Sequence, residues 1–493
     1  MIPETHYMDS LPEGWVLSTI QEVGQIVCEG VDPRHVPSEM HLAPDNIESS
    51  TGKLFECHTV EEDKVVSNNF RFKTGDVLYT KLRPYLNKVV VAPFDGVCSS
   101  DILPIRPHIV TRYLAYWMLS PRFIHQVIPK QTGVTLPRIS RKELNGLSIP
   151  LAPLAEQRRI VEAIEANFAR LERTMETLEA VRCRLNNARA GILQAACSGT
   201  ILPQGEGHAQ SLKRELRNWR DEELFGARAV AGRRGMRRAK AVPSPPVLNV
   251  GIAKGWEPAT IDEVAVVDVG FAFRSVDFVD QGIRLLRGEN IEPGGLRWED
   301  TRFWPLTDIA DFDHLIVKEG DVILAMDRPI VSAGIKVAEA RAVDSPCLLV
   351  QRVARIRSRD RSLQRMIYYN LQLPSAVAHL VGDQTGTQLP HITAEGIATL
   401  SFGLPPLDEQ DRIVSEAERL LGLLQETRAG VSNALARTHH LRRSILGAAF
   451  SGHLVPQDPN DEPASVLLER IKHEREMAPV LSGRRAKGAR ASA

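Results

Sequence analysis

Asp45, Glu62 and Lys64 are the residues of this chain whose types and spacing come nearest to chemistry on a phosphodiester. Pro44-Asp45 is followed by Glu62-Asp63-Lys64, and carboxylates with a lysine can hold Mg²⁺ and polarise a phosphate. A stand-alone Mg²⁺-dependent DNA nuclease is therefore one reading. It is a thin one, because the positions 244 residues further on hold Glu289, Leu306 and Asp308 and do not repeat the set. A second group is suited to holding a phosphate rather than cutting it. Lys81, Arg83, Tyr85 and Lys88 follow a strand-like run, Arg138, Arg141 and Lys142 come later, and the second half offers Arg287, Asn290, Arg328, Lys336, Gln388 and His391. Cations at such positions contact the DNA backbone, while polar side chains on the intervening loops read base edges.

Other chemistries find no motif. The sequence has no G-x-x-x-x-G-K-[ST], no glycine-rich strand-to-helix turn of dinucleotide type and no Asn- or Asp-Pro-Pro-aromatic tetrapeptide. His439-His440 is expected to face solvent or a partner helix rather than a metal. Six cysteines (Cys28, Cys57, Cys98, Cys183, Cys197 and Cys347) include no C-x-x-C pair, which argues against a zinc site or a disulfide framework. No catalytic, cofactor or metal residue is predicted. The N-terminus has no signal pattern, and no apolar run reaches the ~18 to 20 residues that span a bilayer. A soluble, cytoplasmic chain with no membrane partner is expected.

The elements that position these residues come in two copies. "QTGVTLPRI" from Gln131 returns as "QTGTQLPHI" from Gln384, and "GWVLSTIQEV" from Gly14 returns as "GWEPATIDEV" from Gly255. "LAPLAEQRRIV" (Leu151) and "RAGILQAACSGTILP" (Arg189) recur as "LPPLDEQDRIV" (Leu404) and "RRSILGAAFSGHLVP" (Arg442). The offset is 241 at Gly-Trp, 244 to 245 in the middle and a constant 253 from Gln131 through Pro203. Loops in the earlier part thus differ in length, whereas the later part tolerates no insertion, as a helix of fixed length requires. Charge follows the same duplication. Residues 1–80 carry 5 basic and 14 acidic side chains and 81–142 carry 10 and 2; residues 251–325 carry 7 and 15, and 326–392 carry 9 and 5. A chain with 61 basic and 61 acidic residues overall therefore holds two basic segments, suited to a polyanion.

The constant part predicts a helix from about Ala155 to Cys197, roughly 65 Å at ~1.5 Å per residue. Its apolar stripe is Val161, Ile164, Phe168, Leu171, Met175, Leu178, Val181, Leu185, Ala188 and Ile192; the second copy gives Val414, Ala417, Leu421, Leu424, Arg428, Val431, Ala434, Thr438, Leu441 and Ile445. Spacings of three and four mark a coiled-coil seam, so the two helices are expected to pair antiparallel with approximate two-fold symmetry, one head at each end. The heads mix short strands such as "DVLYTKL" and "DVILAM" with helical runs, an α+β pattern. The expected organisation is a first head over 1–150, a long helix over 151–203, a basic connector over 204–250, a second head over 251–403, a long helix over 404–456 and a basic tail over 457–493. Connector and tail, with "GRRGMRRAKA" and "GRRAKGARASA", are expected to be mobile.

The paired heads, the equal helices and the phrases "PLAEQRRIV" (Pro153) and "PPLDEQDRIV" (Pro405) resemble the specificity subunit of Type I restriction-modification systems, as do Gly-Trp before each head and "QTG-x-x-LP" before each neck. The resemblance covers nearly the whole chain. It implies a non-catalytic protein whose heads are target recognition domains, each binding half of a split sequence in double-stranded DNA. Conserved helices in that family hold the heads apart and dock two modification subunits, which bind S-adenosylmethionine and methylate adenine at N6. Two restriction subunits add ATP- and Mg-dependent translocation and cleavage. By resemblance, helix residues around Val161, Ile164, Phe168, Leu171, Met175, Leu178, Val414, Leu421, Leu424, Val431, Leu441 and Ile445 form the coiled-coil and subunit interface. A structural coiled-coil scaffold with no sequence preference is the third reading.

Overall fold

The computed structural model describes residues 11–133, 135–203, 207–229, 237–238, 252–382 and 390–477. The chain divides into two compact units, Met1–Glu179 with Ser432–Ala493, and Ala180–Val431. Each contains an α+β head.

In the first unit an antiparallel sheet runs in the order Gly24–Ile26, Ile102–Pro107, Val77–Thr80, Val89–Val91. Its central strand Val77–Thr80 is buried throughout, because the helix Thr111–Leu119 packs on one side and a second sheet on the other. The second unit repeats this order with Ala265–Val269, Val353–Ser358, Val322–Ala325 and Val337–Glu339. The second sheets share three strands, Asn69–Phe72, Gly96–Ser99 and His41–Leu42 corresponding to Ile316–Val317, Cys347–Leu349 and Ile283–Leu286. Their edges differ: Gly30–Val31 adds to the first and Arg302–Trp304 to the opposite side of the second. The variable offsets in the sequence fall on those edges and loops.

The constant-offset segments are helices Leu154–Ser198, of 45 residues, and Leu407–Ala449, of 43 residues. Gly199 at φ +75 and Gly452 at φ +74 follow them, the left-handed turn that glycine adopts without a Cβ penalty at a helix end. Within the first unit, Val161, Ile164 and Phe168 share a core with the head and with Leu446, Ala449 and Phe450. Within the second, Leu193, Ala196 and Cys197 share one with Ile413, Val414 and Ala417. Leu171, Leu421 and Ile445 are partly buried against these cores, Val431 is buried, and Met175, Leu178 and Leu424 are half-covered.

Three seam expectations need correction. Leu441 is 51% exposed, and Ala188 and Arg428 also face outward. At 3.6 residues per turn the buried face drifts away from a strict 3.5 repeat, so the covered positions near the end of the second helix are Thr438, Arg442, Leu446 and Ala449 rather than Leu441. Arg442 lies over the Phe168 ring at 4.1 Å and donates to the Thr51 carbonyl.

The basic phrases expected to be mobile lie outside the described residues apart from Arg237–Arg238, and much of the described remainder of the connector and tail is helical. Gln210–Ala229 and Ala464–Met477 are helices. Ala209, Leu212 and Leu216 are buried in the second unit's core, and Ala464, Leu467 and Ile471 in the first's. The docking is the same in both: Ala209 N donates to Gly255 O (3.0 Å) and Ala464 N to Gly14 O (2.8 Å). An apolar residue every three or four positions gave each helix a face to bury, and the surrounding charge masked it.

Candidate nucleic-acid interface

Arg83-Pro84 and Arg328-Pro329 form the same turn in the two heads, at the end of the central strand. Both arginines are left-handed, with φ 48 and φ 43, a region that few non-glycine residues occupy. Each turn is locked by the segment that carries Leu-Pro: Arg83 N donates to Pro137 O (2.8 Å) and Arg328 N to Pro390 O (3.2 Å). Isolated bridges Leu82–Arg138 and Asp327–His391 add to the lock. Both arginine side chains are exposed, and among the described residues neither has an ion-pair or hydrogen-bond partner. The residue after Pro is an exposed apolar one in each case, Tyr85 at 50% and Ile330 at 45%.

Most of the other basic candidates are engaged inside the fold. Lys88 Nζ donates to Pro44 O (2.7 Å) and stands 3.7 Å from Asp45; Lys336 Nζ donates to Gly288 O in the equivalent turn, and burial pulls its pKa down. Asn290 is 2% exposed, accepts from Arg287 N and donates to Arg297 O. It is therefore a turn brace, and Asn46 does the same in the first head through Ala43 N and Glu56 O. Arg287 holds Glu289 and Asp300, and Arg141 donates to Ile26 O. Lys81 and Arg138 share Asp101 at 3.6 and 3.4 Å. His391 is 2.6 Å from Asp327, which Arg352 also contacts. Lys142 is exposed. Gln388 lies outside the described residues.

The charge sorting seen in the sequence is thus largely internal. Acidic first halves pair with basic second halves, as in Arg106–Asp76 (3.0 Å) and the buried Arg355–Asp268 (2.5 Å).

The nuclease set is not assembled. Glu62 accepts from Thr59 N (2.8 Å) and its hydroxyl (2.9 Å), which holds its carboxyl below the usual range. Among the described residues Asp45 reaches only toward Lys88. Among the described residues no group of three or more His, Cys, Asp or Glu side chains could hold a metal ion, and no helix is long and apolar enough to cross a membrane.

The profile of the Type I restriction modification DNA specificity domain matches residues 12–181. The EcoDI specificity subunit of Escherichia coli is 34% identical over 244 residues, 48% of this chain and 53% of that protein. The EcoAI specificity subunit of Escherichia coli is 26% identical over 503 aligned positions, 90% of this chain and 83% of that one. The chain is thus similar to Type I specificity subunits along most of its length, and residues 12–181 match their DNA specificity domain. The alignment with the EcoDI subunit thus spans about half of that relative's length. A solved chain from a study of complex assembly and conformational transition in a type I R-M system has the same fold, with TM-score 0.61, 21% identity and coverage of 90% of this chain and 99% of that one.

The phrases this chain repeats have structural reasons. In Gly-Trp and Glu-Gln, Trp15 Nε1 donates to Glu156 Oε2 and Trp256 Nε1 to Glu409 Oε2, each at 2.9 Å. Gln157 Nε2 donates to Ala152 O and Gln410 Nε2 to Pro405 O, turning the strand into the helix. Sequence reasoning missed a further fastener. Arg112 meets Glu165 at 2.8 Å beside Tyr116, and Arg365 meets Glu418 at 3.0 Å beside Tyr369. All three members recur at the constant offset of 253, which was the available signal.

Glu156 is 1% exposed, and burial raises its carboxyl pKa despite the indole bond. Its ionised form is therefore penalised on folding. The penalty is absent below the unfolded-state value, grows as pH rises from that value to the higher folded one, and is constant above it. Glu156→Gln keeps an acceptor for Trp15 and is expected to remove the fall in first-unit stability that accompanies a pH rise from the unfolded-state value to the folded one. Glu156→Ala leaves the indole N–H unpaired and is expected to cost about 1–3 kcal/mol. Urea titrations across pH check both, and an alanine variant as stable as the glutamine variant would refute the assignment.

Proposed function

We propose that this chain is the non-catalytic DNA-recognition subunit of a Type I restriction-modification complex. Each head reads one half of a bipartite target in double-stranded DNA. The two long helices pair antiparallel about an approximate two-fold axis, set the unspecified gap and dock two modification subunits. The recognition domains are 1–150 and 251–403, and the spacer helices lie within 151–203 and 404–456. S-adenosylmethionine belongs to the modification subunits, and ATP and Mg²⁺ to the restriction subunits.

The observation that carries this reading is the duplication itself. Two heads share a sheet order and a locked Arg-Pro turn, yet differ in sheet edges and loops. Each is followed by a long helix, and equivalent residues of the two helices stand at one fixed offset. Two recognition modules at a fixed separation suit half-sites at a fixed spacing.

The test is to co-express the chain with its modification subunit and map methylated adenines across the genome. One split motif with a constant gap is the expected outcome. Replacing the first head should change one half-site only; unsplit motifs, or methylation indifferent to that replacement, would refute the proposal.

A further inference from the structure

We propose that Arg83 and Arg328 are equivalent DNA-phosphate contacts, one per head, and that the side chains around them that differ between heads are the ones that read bases. This rests on the function proposed above and assigns roles within it.

Two heads that read different half-sites need to share only what touches the part of DNA that does not vary, its sugar-phosphate backbone. The Arg-Pro turn is shared in sequence, in left-handed backbone, in its lock to a proline carbonyl and in the exposure of the arginine. Its surroundings are not shared. Lys81, Leu82, Tyr85, Asp101 and Arg138 correspond to Met326, Asp327, Ile330, Arg352 and His391.

Even so, one property of the surroundings is kept. In the first head Asp101 holds Lys81 and Arg138. In the second the acid has moved to the position of Leu82, and Asp327 holds Arg352 and His391. Each turn therefore has one carboxylate held between two basic side chains at its base, though the residues are different. The acid is occupied in both heads, which leaves the neighbouring arginine unpaired and the local potential favourable to an anion.

The backbone argues in the same direction. A left-handed turn is made most easily by glycine, so a side chain retained there in both heads, against the conformational preference, points to use of the side chain. Arginine offers a planar fork of donors that matches phosphate oxygens. Among the described residues no protein acceptor takes those donors.

The experiment compares Arg83→Gln, Arg328→Gln and the double variant in the full chain assembled with its modification subunit. Affinity is measured against salt for duplex DNA carrying the mapped motif and for duplex with both half-sites scrambled. Each single variant should lower the slope of log affinity against log salt by about one on both duplexes, and the double by about two, with the ratio of affinities unchanged. Arg83→Lys should retain the slope. Should a glutamine variant fold poorly by circular dichroism, Arg83→Gly and Arg328→Gly, which relieve the backbone, give the same readout.

Three outcomes would overturn the proposal: an unchanged slope, a collapse of the affinity ratio at one half-site, which marks base reading, or loss of the modification subunit from the complex, which marks a protein contact. If the unaltered complex bound both duplexes equally, the bipartite function would fail while the slopes still decided the phosphate contact.

Discussion

Phe450→Ala is expected to destabilise the first unit by about 3–5 kcal/mol, the largest effect we predict for one side chain. Phe450 is fully buried at the end of the second long helix. Its ring meets Tyr113 at 5.1 Å and Trp117 at 5.2 Å, both edge-on, an arrangement that adds to simple burial. Truncation opens a cavity between the head helix Thr111–Leu119 and the long helix, with Tyr113 and Trp117 too firmly packed to collapse into it. Arg122 still bonds the Phe450 carbonyl, so the backbone tether survives and the loss reports the ring alone. The residue 253 positions earlier is Cys197, buried in the second unit's core, and Cys197→Ala should cost only about 1 kcal/mol because it removes one atom. Hydrogen exchange over residues 111–127 measures the first effect. Protection within about 1 kcal/mol of the unaltered protein would show that the helix end does not anchor the head.

Lengthening both long helices is expected to change the DNA target itself. Four residues inserted after Glu179 and four after Ser432, positions equivalent by the 253 offset, add about 6 Å to each helix. At about 3.4 Å per base pair, the unspecified gap should grow by one to two base pairs while both half-sites stay the same. Methylation mapping of the co-expressed complex reads this directly. A gap that did not move would mean that something other than helix length sets it, and an altered half-site would mean that the heads had been disturbed.

The sequence made the long helices legible because length is the property they preserve. An offset constant over seventy residues, with Ser-Gly stops, predicted about Ala155 to Cys197, and the helix runs Leu154–Ser198. The pairing of cations was not legible. Lys88 is tied to Pro44, Arg112 to Glu165 and Arg138 to Asp101, across separations that no local pattern encodes. A basic run in sequence therefore reads alike whether its charges point to DNA or to the acidic half of the same head. Of the candidate contacts, Arg83, Tyr85, Lys142 and Arg328 stand exposed without a partner among the described residues. The docking helices were hidden for a different reason: the stripe Ala464, Leu467, Ile471 has helical spacing, but the charges around it gave the segment the composition of a disordered tail.

The fasteners between head and neck are the same in both copies: the indole on a glutamate, the glutamine on the carbonyl before the helix, and the arginine-glutamate pair beside a tyrosine. None involves the sheet edges or loops that distinguish the heads. Each head is thus a cartridge with a standard fitting. A gene conversion or crossover that imported a different head would find its sockets already cut, and under the function proposed above one recombination event would supply a new DNA target without retuning the helices that hold it.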